Sequence, residues 1–288
     1  MSRLSLKEAE ERLQSSHDER WHAHNHSNEP PEFFHYCSAQ GLKGILESRL
    51  FFASDVLSLS DYSEVVHGRD MACELLKKRS SPLAEHLHDA FQQGRRLGGL
   101  GETWFVHVVC LCGSKDVLSQ WRGYSGTGGF AIGLDPAKLE QRVKQSDFAI
   151  LKMVYDREEQ QRVLAEAIEN FEEVFRELAP DSLNEVNAVI TKMAQILFNT
   201  LIYFKHPAFH QENEWRILKI DPQEKVKFWL RGADLVPYVP LKFEPNLVKT
   251  ILHGPAFASG INDISIRRFV NALGFDHVNI EKSDIPLR

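Results

Sequence analysis

Short apolar runs of strand composition, irregularly spaced and interrupted by two long helical stretches, constrain the fold of this 288-residue chain more than any other feature. A doubly wound nucleotide-binding fold needs strands and helices that alternate in repeating βαβ units, and this sequence has no such repeat. The order of elements predicts a mixed α+β domain, with a central sheet of several short strands and flanking helices.

Residues 33–37 have strand composition, Ser38 is placed to cap a helix over 39–47, and 50–53 returns as a strand. Helical stretches at 63–79 and 82–94 lead into a Gly-rich piece, 94–102, read as a mobile loop. The run 104–112 suits a central buried strand and 129–134 a second, with Gly126, Gly128 and Gly129 shaping a hairpin. Another strand is predicted at 148–155, then helices at 156–178 and 182–204 whose apolar period marks a helical insertion. Short strands follow at 214–220, 225–229, 235–239 and 247–253, then a helix over 261–273 and a last strand near 277–280. Ahead of all this, Ser5 and Glu8 have capping-box spacing and open a charged, peripheral helix to about residue 21. A polar linker from 22 to 32, closed by Pro30 and Pro31, joins it to a single domain over 33–288.

Composition sets the class. With 43% hydrophobic and 26% charged residues the chain is globular, and no apolar run approaches the roughly 20 residues of a membrane helix. Its formal charge of -6 argues against a surface built wholly for polyphosphate, while leaving room for a local basic groove. Cys37, Cys73, Cys110 and Cys112 lack CxxC spacing and read as buried thiols of a reducing cytoplasm. The N-terminus shows no secretory leader, so a cytoplasmic location is expected.

Several familiar signatures fail on spacing. Ser125 lacks the glycine that a nucleophile elbow needs where Thr127 stands, and the nearby glycines fit neither the dinucleotide fingerprint nor the phosphate loop. His22, His24 and His26 would share a side of an extended segment, yet a flexible linker supplies no rigid metal site, and none is expected. Cys110 and Cys112 share one side of a buried strand and read as packing residues.

Three groups are candidates for chemistry. Glu212 and Glu214, two apart at a strand start, would point to one face and could meet a cationic centre or divide acid and base tasks; a solvated edge paired with Arg216 and Lys205 is equally open. His35 and Tyr36 end the first strand where side chains emerge into a cleft, though a lone His there is also a common structural residue. Trp121, Arg122 and Tyr124 combine a planar cation with aromatics, suited to stacking on a base or nicotinamide ring and pairing with phosphate, or to packing a core.

The segments HYCSAQGLKGILESRLFFAS, LSLSDYSE, LSQWRGYSGTGGFAIGLD, HQENEWRILK, LVPYVPLKF, ILHGPA and KSDIPLR, in that order, resemble bacterial domain-of-unknown-function family 2971 over all but the first thirty or so residues. Ser60 departs from that pattern, which usually has Asn before the Asp. That family in turn looks like a distant relative of the ADP-ribosyltransferases. The resemblance implies a split central sheet, NAD as substrate, His35 as the ribose-holding residue before the helix Gly41-Leu42-Lys43-Gly44-Ile45-Leu46, and Glu212-Asn213-Glu214 as a Glu-x-Glu motif with Glu214 catalytic. It further implies Tyr124 or Trp121 against nicotinamide, Arg122 or Arg216 on the pyrophosphate, no metal, and a toxin or phage-defence role. The acceptor could be protein, nucleic acid, a small molecule or water. The alternative is a non-catalytic module whose cleft holds a nucleotide or a nucleic-acid end; a nuclease is disfavoured, since no Asp plus Glu-x-Lys set is present.

Overall fold

The computed structural model describes residues 3–25, 32–59, 63–96, 106–124, 129–220, 225–255 and 260–286. In chain order the elements begin with α1 (Leu6–Asn25), β1 (Phe33–Ser38), α2 (Ala39–Ser48), β2 (Leu50–Asp55), α3 (Ser63–Lys77), α4 (Pro82–Arg96) and β3 (Val106–Cys112). Next come α5 (Leu118–Tyr124), β4 (Gly129–Leu134), α6 (Pro136–Gln145), β5 (Ala149–Lys152), α7 (Arg157–Leu178), α8 (Leu183–Leu201) and β6 (Glu214–Ile220). The chain closes with β7 (Lys227–Arg231), β8 (Asp234–Lys242), β9 (Val248–His253), α9 (Gly260–Ala272) and β10 (Asn279–Lys282).

These elements divide into two compact units, one of Met1–Ser27, Val56–Phe105 and Met153–Ala208, the other of Asn28–Asp55, Val106–Lys152 and Phe209–Arg288. The division differs from the expected boundary at residue 32, because α1 belongs with the helical residues and does not stand apart from them. Ala9 and Leu13 are fully buried, and α1 packs on α7 and α8. Arg3 ties its start to the Leu178 carbonyl, Asp181 and Glu185, while the Ser5 hydroxyl and Glu8 carboxylate cap each other reciprocally. The helix runs on through Asn25, so the backbone at residues 22 and 24 is helical and not extended. His26 and the two prolines lie outside the described residues, as do most of the Gly-rich loop and Ser60. Asp156 and Ser182 cap α7 and α8, whose buried stripes, including Phe171 and Phe198, fill this unit's core.

The other unit is built on a mixed sheet in which β10 and β9 are parallel and every other pair is antiparallel. β3 pairs along one edge with β6, from Val106↔Ile220 to Cys112↔Glu214. Its other edge meets β1 only at Phe34↔Cys112, and β2 only at Ser54↔Val108 and Asp55↔His107. The sheet therefore forks at β3, with one arm of β1, β4, β9 and β10 and another of β2, β8 and β7. The expected hairpin between β3 and β4 does not form: β4 lies between β1 and β9, and Gly126 and Gly128 fall outside the described residues.

Period-two alternation divides the apolar residues between the sheet's two faces. One face packs Phe33, Cys37, Leu111, Trp215 and Ile217 against Leu42 and Leu46 of α2, Leu139 and Val143 of α6, and Ile266 and Val270 of α9. The other carries a smaller cluster of Phe34, Tyr36, Cys112, Ala131 and Leu252, closed by Trp121 of α5.

Candidate functional site

Glu214, Arg216 and His35 lie beside the end of β3, Cys110 to Cys112. Glu214 and Arg216 are the register partners of Cys112 and Cys110 on β6, so all four share one face of the sheet. Arg216 donates from Nε to Glu214 Oε1 at 2.7 Å and from Nη2 to Oε2 at 3.3 Å, and the two residues are only 2% and 5% exposed. Such charge-assisted contacts are the strong class of hydrogen bond, and burial removes the competing water.

Glu212 does not share the strand with Glu214. It ends a 3-10 helix (Pro207–Glu212), and Asn213 turns the chain with φ +41° before β6 begins at Glu214. The expected shared strand face is thereby lost, because Glu212 is not in the strand at all. Asn213 is held by its carbonyl, which accepts from Gly113 N at 2.8 Å, and by its side chain, which donates to Ser114 Oγ at 2.9 Å. A Cβ on Gly113 would lie 2.9 Å from the Asn213 amide nitrogen and from Trp215 Nε1, so only glycine admits this approach.

His35 and Tyr36 alternate on β1 and leave it on different sides. His35 sits at the fork, where β1 parts from β3 beyond Phe34, and its Nδ1 reaches the Cys110 carbonyl at 3.0 Å. The imidazole thus supplies the donor that a neighbouring strand would have given, and it meets the edge of Phe51 at 5.3 Å. Burial lowers its pKa, so the ring is neutral with Nδ1 protonated toward the carbonyl and Nε2 left as an acceptor.

Tyr36 and Trp121 form a wall, not a stacking platform. They are 6% and 3% exposed and meet edge-on with ring centroids 4.7 Å apart. Tyr36 donates to the Ser114 carbonyl at 3.3 Å and accepts from Val117 N at 3.0 Å, and burial raises its hydroxyl pKa. Trp121 donates to Asp116 Oδ1 at 2.8 Å, and a Cβ on Gly254 would come within 3.0 Å of its ring. The seated Trp121 leaves Arg122 and Tyr124 at the exposed end of α5, with Tyr124 46% accessible.

Asp116 is the residue that sequence reasoning missed. Besides Trp121 it accepts from Ser283 Oγ at 2.5 Å and from Asp284 N at 2.8 Å, binding Ser283 and Asp284 to the foot of α5. Its position just before a helix gives it the look of a cap, and nothing local in the sequence couples it to residues 167 and 168 positions away.

Residues 120–217 match the family described as Protein of unknown function (DUF2971). The matched span contains Trp121, Arg122, Tyr124, Glu212, Glu214 and Arg216, and ends inside β6. No curated protein and no solved structure matches the chain. Among the described residues no group of three or more His, Cys, Asp or Glu is placed to hold a metal, and no helix is long and apolar enough to cross a membrane.

Proposed function

We propose that this chain is an ADP-ribosyltransferase-like enzyme that uses NAD, with Glu214 as its catalytic carboxylate. The observation that carries the reading is the placement of Glu214 and Arg216 opposite Cys112 and Cys110, beside the fork where His35 reaches the Cys110 carbonyl. Cleavage of the nicotinamide–ribose bond sends the bonding electrons out with neutral nicotinamide and leaves an oxocarbenium-like ribosyl group. A fixed carboxylate stabilises that developing charge, and the Arg216 guanidinium holds Glu214 aimed. His35 holds the Cys110 carbonyl through Nδ1 and so fixes the end of β3 that pairs with Glu214 and Arg216, its ring lying on the other face of the sheet from theirs. Trp121 is engaged edge-on by Tyr36 and through its indole N–H by Asp116, so the nicotinamide role passes to Tyr124, and Arg122 answers the pyrophosphate. The acceptor nucleophile captures the ribosyl carbon and gives up its proton to water.

The burial of the Glu214–Arg216 pair favours a second reading, in which the pair is structural and the cleft only holds a nucleotide. Melting curves with NAD, ATP and nicotinamide mononucleotide separate the two. The enzyme reading expects NAD to raise the melting temperature of wild type and of Glu214→Gln alike, with nicotinamide released by wild type only. Stabilisation by all three nucleotides without nicotinamide release supports the binding module. No stabilisation by any of them removes both.

A further inference from the structure

The β7–β8 hairpin carries a surface that the NAD reading does not use. Its two-residue turn, Gly232 and Ala233, closes on the pair Arg231↔Asp234, with Gly232 at φ +63°. Beyond that turn β7 is the last strand of its arm, and among the described residues it pairs with β8 alone. One face of the hairpin presents Phe228, Leu230 and Leu235, which are 62%, 68% and 68% exposed, with Leu230 and Leu235 directly opposed. That row continues along β8 into buried Val239 and Leu241, so the core extends outward into an uncovered apolar strip. The other face places exposed Lys227 and Arg231 on either side of Trp229, whose indole donates to Ser54 Oγ at 3.3 Å.

We infer that β7 is a docking edge for an extended acidic peptide, added to the sheet as a further strand. The open edge offers backbone donors and acceptors, and strand addition satisfies them. Side-chain alternation then fixes the ligand's pattern. Positions facing Phe228 and Leu230 are apolar, and those facing Lys227 and Arg231 are acidic and four residues apart. Lys227 and Arg231, the latter set across the hairpin from Asp234, make the β7 edge a local exception in a chain of formal charge -6, which electrostatic complementarity turns into selection for an acidic partner. Two competing occupants fit less well. A second copy paired antiparallel about Trp229 would set Lys227 against the other copy's Arg231, and like charges directly opposite are destabilising. Lipid cannot satisfy the backbone groups of an open edge, which disfavours insertion of the apolar strip into a bilayer.

The test uses the full chain and a fluorescein-labelled peptide, Ser-Glu-Val-Thr-Val-Glu-Ser, followed by anisotropy. Saturable binding is expected, weakened at least about tenfold by Lys227→Glu with Arg231→Glu, and likewise by Phe228→Ser with Leu230→Ser. These side chains are exposed, so melting curves should show the variants folded. N-methylation of alternate peptide amides should also abolish binding, which separates strand addition from simple charge attraction. Equal binding by a scrambled peptide, or by one with Lys in place of Glu, would overturn the proposal. So would absence of peptide binding accompanied by binding to phosphatidylserine vesicles, or by dimerisation seen in light scattering, that Phe228→Ser with Leu230→Ser removes.

Discussion

Arg216 and Glu214 stand two residues apart on one strand and face each other with Nε 2.7 Å from Oε1, almost wholly out of water. Removing one member takes the charge-assisted contact from a buried charge, which costs about 3–5 kcal/mol, whereas an apolar replacement of both avoids much of that penalty. Glu214→Ala should therefore unfold at distinctly lower urea than wild type, and Glu214→Leu with Arg216→Met should recover much of the loss. A double variant as unstable as the sum of its singles would show that the pair is not a coupled unit.

Stability should depend on pH through three histidines whose folded pKa values burial lowers, His17, His35 and His253. The unfolded chain then binds protons that the folded chain does not, so the stabilisation is complete above the unfolded value of 6.5 and is lost as pH falls below it. Melting temperature should be level near pH 8 and decline from about pH 6.5 downward. His35→Asn keeps a donor for the Cys110 carbonyl without a titrating ring, and should flatten part of that decline. An unchanged slope in that variant would contradict the role given to His35.

Helix α1 should behave as part of the helical unit's core. Leu13 is fully buried, and Leu13→Ala should cost about 2–5 kcal/mol in denaturant unfolding. Ser5→Ala, which removes one half of the capping box, should cost about 1 kcal/mol. A neutral Leu13→Ala would restore the picture of a loose appendage.

Thiol chemistry offers a further check. None of the four cysteines is in a disulfide, and burial pushes the Cys37 thiol up to about 12 and the Cys112 thiol up to about 11. Neither should be alkylated by iodoacetamide at pH 8 in the folded protein, and both should react once it is unfolded in guanidinium. Labelling of either in the native state, read by peptide mass spectrometry, would contradict the burial described.

Local signals made much of this legible in the sequence. Ser38, Asp156 and Ser182 announce helix starts because capping is a contact over three residues, and the alternation in 214–220 exposes β6 because its period is two. Long-range pairing was not legible. Nothing near Gly129 reveals that β4 lies against β1 and β9, nor does Asp116 reveal its bonds to Ser283 and Asp284. The site shows the same divide. Glu214 and Arg216 were found as neighbours, but the left-handed Asn213 that removes Glu212 from their strand is a single dihedral choice that Asn tolerates and sequence does not declare. Trp121 and Tyr124 look alike as aromatic candidates, and only packing assigns one to the wall and the other to solvent.

The most direct test of the central claim is nicotinamide release, followed by mass spectrometry, from NAD incubated with wild type or with Glu214→Gln in the presence of a cell lysate. The account predicts turnover with ADP-ribose transferred to an acceptor by wild type, and none by a variant that melts as a folded protein. Equal release by both proteins, or none by either, would contradict the assignment of Glu214 as the catalytic carboxylate.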